Sequence, residues 1–154
     1  MEQLLAHLWG DYLLQSDWMA NLKRQAWRPV IAHAGLYSIA FIWLTSSPLA
    51  WVVIFGTHLL IDRFGLARYL VWAKNWLGPA KPWYASSAVT DWTDNQLEIF
   101  PNDVYRINQP TPPFRACSAT GYPPNRPAWL AVWLTIIADN TLHLTINYLA
   151  LRYL

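Results

Sequence analysis

The sequence predicts an all-α fold: an integral membrane four-helix bundle carrying an irregular soluble insert. Three observations point there. Charged residues make up 13% of the 154 and hydrophobic ones 55%, where a soluble domain carries roughly a quarter charged. From Pro29 to Ile61 there is no Asp, Glu, Lys or Arg, a run that water solvates poorly and a bilayer accepts. The apolar residues also cluster towards the two ends of the chain, in four segments of helical length.

The first segment covers about 2–22 and ends at the basic cluster Lys23, Arg24 and Arg28. Met1-Glu2-Gln3 lacks a basic region, and His7, Asp11 and Gln15 interrupt the apolar stretch, so no cleavable signal peptide is expected. The second segment, about 29–45, stops at Ser46-Ser47-Pro48. There Ser47 can cap a new helix and Pro48 suits its first turn. The third runs over about 48–72, which makes segments two and three a helical hairpin. The fourth covers about 127–152, with Pro127 at its start and only Asp139 and Arg152 formally charged.

Between segments three and four, at about 76–126, the chain turns polar and proline-rich, as a soluble insert within a single membrane domain of residues 1–154. Within it, two runs flank Pro101-Asn102-Asp103 and predict a small β-hairpin at 96–107. Gln109-Pro110-Thr111-Pro112-Pro113 is expected to be extended.

Basic residues orient the chain. They follow segments one and three, whereas the Thr45–Pro48 turn has none. With four crossings, the positive-inside bias places both basic connections on the cytoplasmic face of a bacterial inner membrane. Trp43 and Trp51 then lie near the outer boundary, and Trp27, Trp72, Trp76 and Trp129 near the inner one, as aromatic belts do.

The candidate chemistry lies in the histidines. Three of the four have an aspartate four residues away: His7 with Asp11, His58 with Asp62, and His143 with Asp139. Residues so spaced share a helix face. Gln3, His7, Asp11 and Gln15 continue one stripe, and Asp139, His143 and Asn147 another. His33 stands alone on its segment and reads as a hydrogen-bonded core residue before it reads as a ligand. Ionisable groups within a bilayer cost about 2.5–3.5 kcal/mol each on insertion scales, and persist where they face one another, a cavity or an ion. Imidazole and carboxylate together suit zinc, manganese, iron or nickel, and inward ligands from several helices of a bundle build such sites. The candidate metal ligands are therefore His7, Asp11, His33, His58, Asp62, Asp139 and His143, enough for one or two divalent ions. Asp139 is also the candidate catalytic base.

Other signals exclude. The net charge of +2 is too small for a nucleic-acid surface. The single cysteine, Cys117, leaves no internal disulfide and no cysteine-based zinc site. No glycine-rich phosphate loop, Gly-x-Ser-x-Gly elbow or His-Glu-x-x-His is present.

The stretch from His7 to Ala20 (HLWGDYLLQSDWMA), with Lys23 after it, resembles an uncharacterised family of small bacterial and phage multi-pass membrane proteins. Its members show His-Leu-Leu-x-Asp-Phe-x-x-Gln-x-x-Trp and a basic residue. His33, the run Thr57-His58-Leu59-Leu60-Ile61-Asp62, and Asp139-Asn140-x-x-His143 look like the rest of that pattern. Trp9-Gly10 and Ser16 depart from it. The resemblance implies membrane location and a recurring polar constellation, with no established activity.

The leading functional expectation is a membrane-embedded, metal-dependent hydrolase acting on a lipid, lipid-linked or membrane-peptide substrate. A non-catalytic alternative is a phage-encoded membrane protein that modifies the host envelope, by exclusion or by binding a host membrane protein through the 76–126 insert. An ion or proton pathway is third. The expected partners are the lipid bilayer, a host membrane protein and further copies of the chain, with no nucleic acid.

Overall fold

The computed structural model describes residues 1–77, 83–84, 106–107, 113–123 and 126–154. The expected 2–22 helix is broken. Helix α1 (Glu2–Leu8) runs into a π-helical turn at Trp9–Leu13, and α2 (Asp17–Leu22) follows a short gap. The extra residue of a π turn is visible in the bond from Leu14 N–H to the Trp9 carbonyl (2.9 Å). Gly10 permits it: a Cβ there would meet Tyr37 Cδ2 at 2.5 Å, so only a glycine lets this turn lie against the next helix. Ser16 restarts the chain as an N-cap, its hydroxyl accepting from Met19 N–H.

Helix α3 (Trp27–Ile39) is 13 residues long, roughly 20 Å, and gives way to turns before the expected end at residue 45. Helix α4 (Pro48–Phe64) begins as expected, with Ser47 as cap and Pro48 in the first turn. The expected 48–72 helix then bends by 71° into α5 (Leu66–Leu77). Gly65, at φ 58°, makes the break; this left-handed conformation ends helices and favours glycine. Helix α6 (Ala128–Tyr153) matches its expected bounds to within a residue at each end.

The described part of the expected 96–107 hairpin pairs elsewhere. Arg106–Ile107 (β2) lies antiparallel to Trp83–Tyr84 (β1), while Gln96–Phe100 lies outside the described residues. Apart from this two-residue ladder and a 3₁₀ turn at Phe114–Ala116, the described chain is all-α.

Helix α3 packs on α2, on the π turn and on α4; α4 packs on α6; α1 and α5 each pack on α6. One apolar cluster joins Ala6, Tyr37, Phe41, Ile54 and Ala150. A second joins Val71, Tyr122 and Ala131. Between them the interior is polar: His7, His33, His58, His143 and Asn147 are at most 1% exposed and Asp62 is 5%. The exterior is apolar, with Trp43, Val52, Trp133 and Ile137 more than half exposed. Among the described helices α6 is long and apolar enough to cross a membrane, and the bent α4–α5 pair passes the same test together.

Candidate metal centre

Four elements place the predicted residues. The α1–π turn unit carries His7 and Asp11, α3 carries His33, α4 carries His58 and Asp62, and α6 carries Asp139 and His143. Each Asp–His pair closes on its own helix face: His7 Nδ1 to Asp11 Oδ2 at 3.5 Å, His58 Nε2 to Asp62 Oδ2 at 3.2 Å, and His143 Nε2 to Asp139 Oδ2 at 3.7 Å.

The pairs also converge, and His33 is the hub. Its Nε2 lies 3.0 Å from His58 Nε2, 3.0 Å from Asp62 Oδ2 and 3.3 Å from Asp11 Oδ1. His58 Nε2 lies 3.4 Å from the same Asp11 oxygen. Two donors that share one first-row ion at roughly 2.0–2.2 Å stand roughly 3.0–3.5 Å apart, so these spacings suit a common ion. Two overlapping sets of side chains could hold a metal: Asp11, His33 and His58, and His58, Asp62 and His143.

With neutral imidazoles, proton counting leaves room here for added positive charge, as a metal ion or as a proton on His33 between Asp11 and Asp62. Asn147 Nδ2 donates to the Tyr37 hydroxyl (2.5 Å). His7 Nε2 donates to Asn140 Oδ1 (3.2 Å), which leaves neutral His7 Nδ1 as the acceptor of the Tyr37 proton (2.9 Å). His7 Nδ1 then has no proton for Asp11, and Asp11 Oδ1 is buried without a hydrogen-bond partner. A neutral imidazole carries one N–H. His58 divides its two nitrogens between His33 Nε2 and His143 Nδ1 (3.2 Å), so the pocket gathers more lone pairs than protons. One cation is already present: the Lys23 ammonium donates to Asp62 Oδ2 at 3.0 Å.

Asp11, His33 and His58, and His58, Asp62 and His143, are therefore brought together as two groups that share His58, and His7 supports Asp11 from behind. Asp139 stands at the margin. It belongs to neither donor set, and its side chain is 29% exposed. The sequence marks Lys23 as a basic boundary residue but not as part of the site, and gives Tyr37 no role. The Tyr37 ring stacks on His58, with centroids 3.6 Å apart and planes at 16°. Its signal was available, since it sits one helical turn after His33. Lys23 gave no such signal, because its partner lies on another helix. In the loop after β2, burial pushes the Cys117 thiol up, which leaves it a poor nucleophile.

Fold and site together define a helical protein with a polar, metal-competent interior and an apolar exterior. Residues 1–77 match the family described as protein of unknown function (DUF3307), and the chain belongs to that family. No curated relative and no solved structure matches it.

Proposed function

We propose that this protein is a membrane-embedded, metal-dependent hydrolase acting on a lipid, lipid-linked or membrane-peptide substrate. The observation that carries the reading is the meeting of His33 Nε2, His58 Nε2, Asp11 Oδ1 and Asp62 Oδ2, with neighbouring atoms 3.0–3.4 Å apart, inside a shell of exposed apolar side chains. Large apolar side chains stand exposed on α3, α4 and α6, among them Ile31, Val52, Trp133 and Ile137, where a lipid environment would accommodate them. A bilayer around α6 and the α3–α4 hairpin, as part of a multi-pass inner-membrane bundle, accounts for them, with Lys23, Arg24, Arg28 and Arg63 on the cytoplasmic side.

Asp11, His33 and His58 would hold a zinc, manganese, iron or nickel ion, with Asp62 against His33 and His58 and His143 completing or orienting the set through His58. A divalent ion bound there would supply Lewis acidity and a readily ionised water for attack on an ester or amide carbonyl or a phosphoryl group. Asp139, outside the donor sets and part-open to the surroundings, would accept a proton from water as general base.

The test is the metal content of detergent-purified protein beside a His58→Ala/His143→Ala double variant. Stoichiometric metal in the wild type and its loss in the variant are expected. Asp139→Asn is expected to keep the metal and lose turnover of phospholipid substrates. Wild-type protein purified without metal overturns the enzyme reading.

The Lys23–Asp62 ion pair favours a second, non-catalytic reading, in which the cluster ties the bundle together and the 76–126 insert binds a host envelope protein. Deletion of Thr93–Asn108 then abolishes a host phenotype that Asp139→Asn leaves intact.

A further inference from the structure

A second site lies at the bend after α4. Because Gly65 turns the chain through 71°, the end of α4 and the start of α5 diverge and leave a cleft against α2. Its volume is about 710 Å³, and its walls include Arg24, Gln25, Arg63, Arg68 and Tyr69. Among the described residues no acidic side chain lines it. Among the described residues none of the three arginines has a carboxylate partner, although Lys23, the neighbour of Arg24, is paired with Asp62.

The guanidinium groups are held in place. Arg63 lies over the Trp27 ring at 5.0 Å and donates to the Arg24 carbonyl. Arg68 lies over Tyr69 at 4.8 Å and Phe114 at 5.5 Å, and its Nη2 donates to the Tyr69 hydroxyl at 3.0 Å. Arg24 rests on Gly65, where a Cβ would come within 3.2 Å of its Nε; the glycine makes both the bend and the room for this side chain. Among the described residues, the buried Nε–H groups of Arg63 and Arg68 meet no acceptor. Topological charge requires only that cations remain on one side. It requires neither stacking nor convergence on a concavity, nor buried donors with nothing to donate to.

We propose that this cleft binds a phosphate mono- or diester, whose oxygens accept from Arg24, Arg63 and Arg68. Planar guanidinium forks match phosphate oxygens two at a time, and aromatic stacking preorganises them. The site stands independently of any hydrolysis at the histidine cluster.

The phosphate can belong to a lipid headgroup or to a water-soluble molecule, and the experiment separates the two. Full-length protein in phosphatidylcholine nanodiscs is titrated calorimetrically with inorganic phosphate and with glycerol 3-phosphate. In parallel, nanodiscs doped with phosphatidic acid are scored for retained lipid by native mass spectrometry. Saturable binding in at least one arm is expected. Binding in the lipid arm alone identifies a headgroup site, and binding in the soluble arm a free phosphoester site. Arg63→Gln and Arg68→Gln are each expected to weaken it about tenfold or more, and Arg152→Gln, an equal charge change at the end of α6, to leave it unchanged. Arg68→Lys keeps the charge but loses the fork; it is expected to fold and still bind more weakly than wild type. Absence of binding in both arms, or equal losses in Arg68→Gln and Arg152→Gln, overturns the proposal.

Discussion

The candidate centre is drawn from two unequal regions. The family-matched segment, residues 1–77, supplies Asp11, His33, His58 and Asp62, and one of the two donor sets lies wholly within it. Helix α6, beyond the match, supplies His143 and Asp139 and joins only the second set. The first region folds irregularly, through a π turn, a short helix and a left-handed glycine. The second is one uninterrupted helix of 26 residues. The contrast teaches that a local break places one donor, Asp11, against His33 and His58 on regular helices, while α6 is a continuous wall against which they close.

Removing the hub breaks that comparison most severely. His33→Ala takes away the atom that touches Asp11, Asp62 and His58, and metal content is expected to fall from stoichiometric to background, measured by mass spectrometry of purified protein. His143→Ala is expected to retain the metal but weaken it about 10–100-fold, as the loss of an orienting partner does, in a competition titration with a chelator. Equal losses in the two variants would show that α6 belongs to the primary set. Tyr37→Phe tests the seam. It leaves His7 Nδ1 and Asn147 Nδ2 without their shared hydroxyl, and is expected to lower unfolding stability by about 1–3 kcal/mol with metal stoichiometry intact.

Much of this was legible from spacing alone. The three Asp–His couples follow from helical periodicity, because partners four residues apart meet whatever the tertiary structure does. The start of α4 was legible in Ser47-Pro48, and α6 in a long run with only Asp139 and Arg152 charged. His33 was named as a candidate ligand, but its place as the hub was not legible: it has no acidic partner on its own helix, and its contacts come from residues 22 positions earlier and 25 and 29 later, which packing alone brings near. The π turn was hidden because Trp9-Gly10-Asp11-Tyr12-Leu13 carries the composition of ordinary helix. Gly65 offered a stop signal, but the helix-forming residues beyond it continued the pattern and masked the bend.

Lys23 gives the centre a built-in occupant. Its ammonium already rests 3.0 Å from Asp62 Oδ2, the oxygen that also faces His33 and His58, so an arriving divalent ion competes with a tethered one. Uptake thus becomes an exchange of positive charges: the incoming ion loosens a lysine and, with it, the hold of the α2 end on α4. A reporter on α2 would register loading without contacting the centre itself.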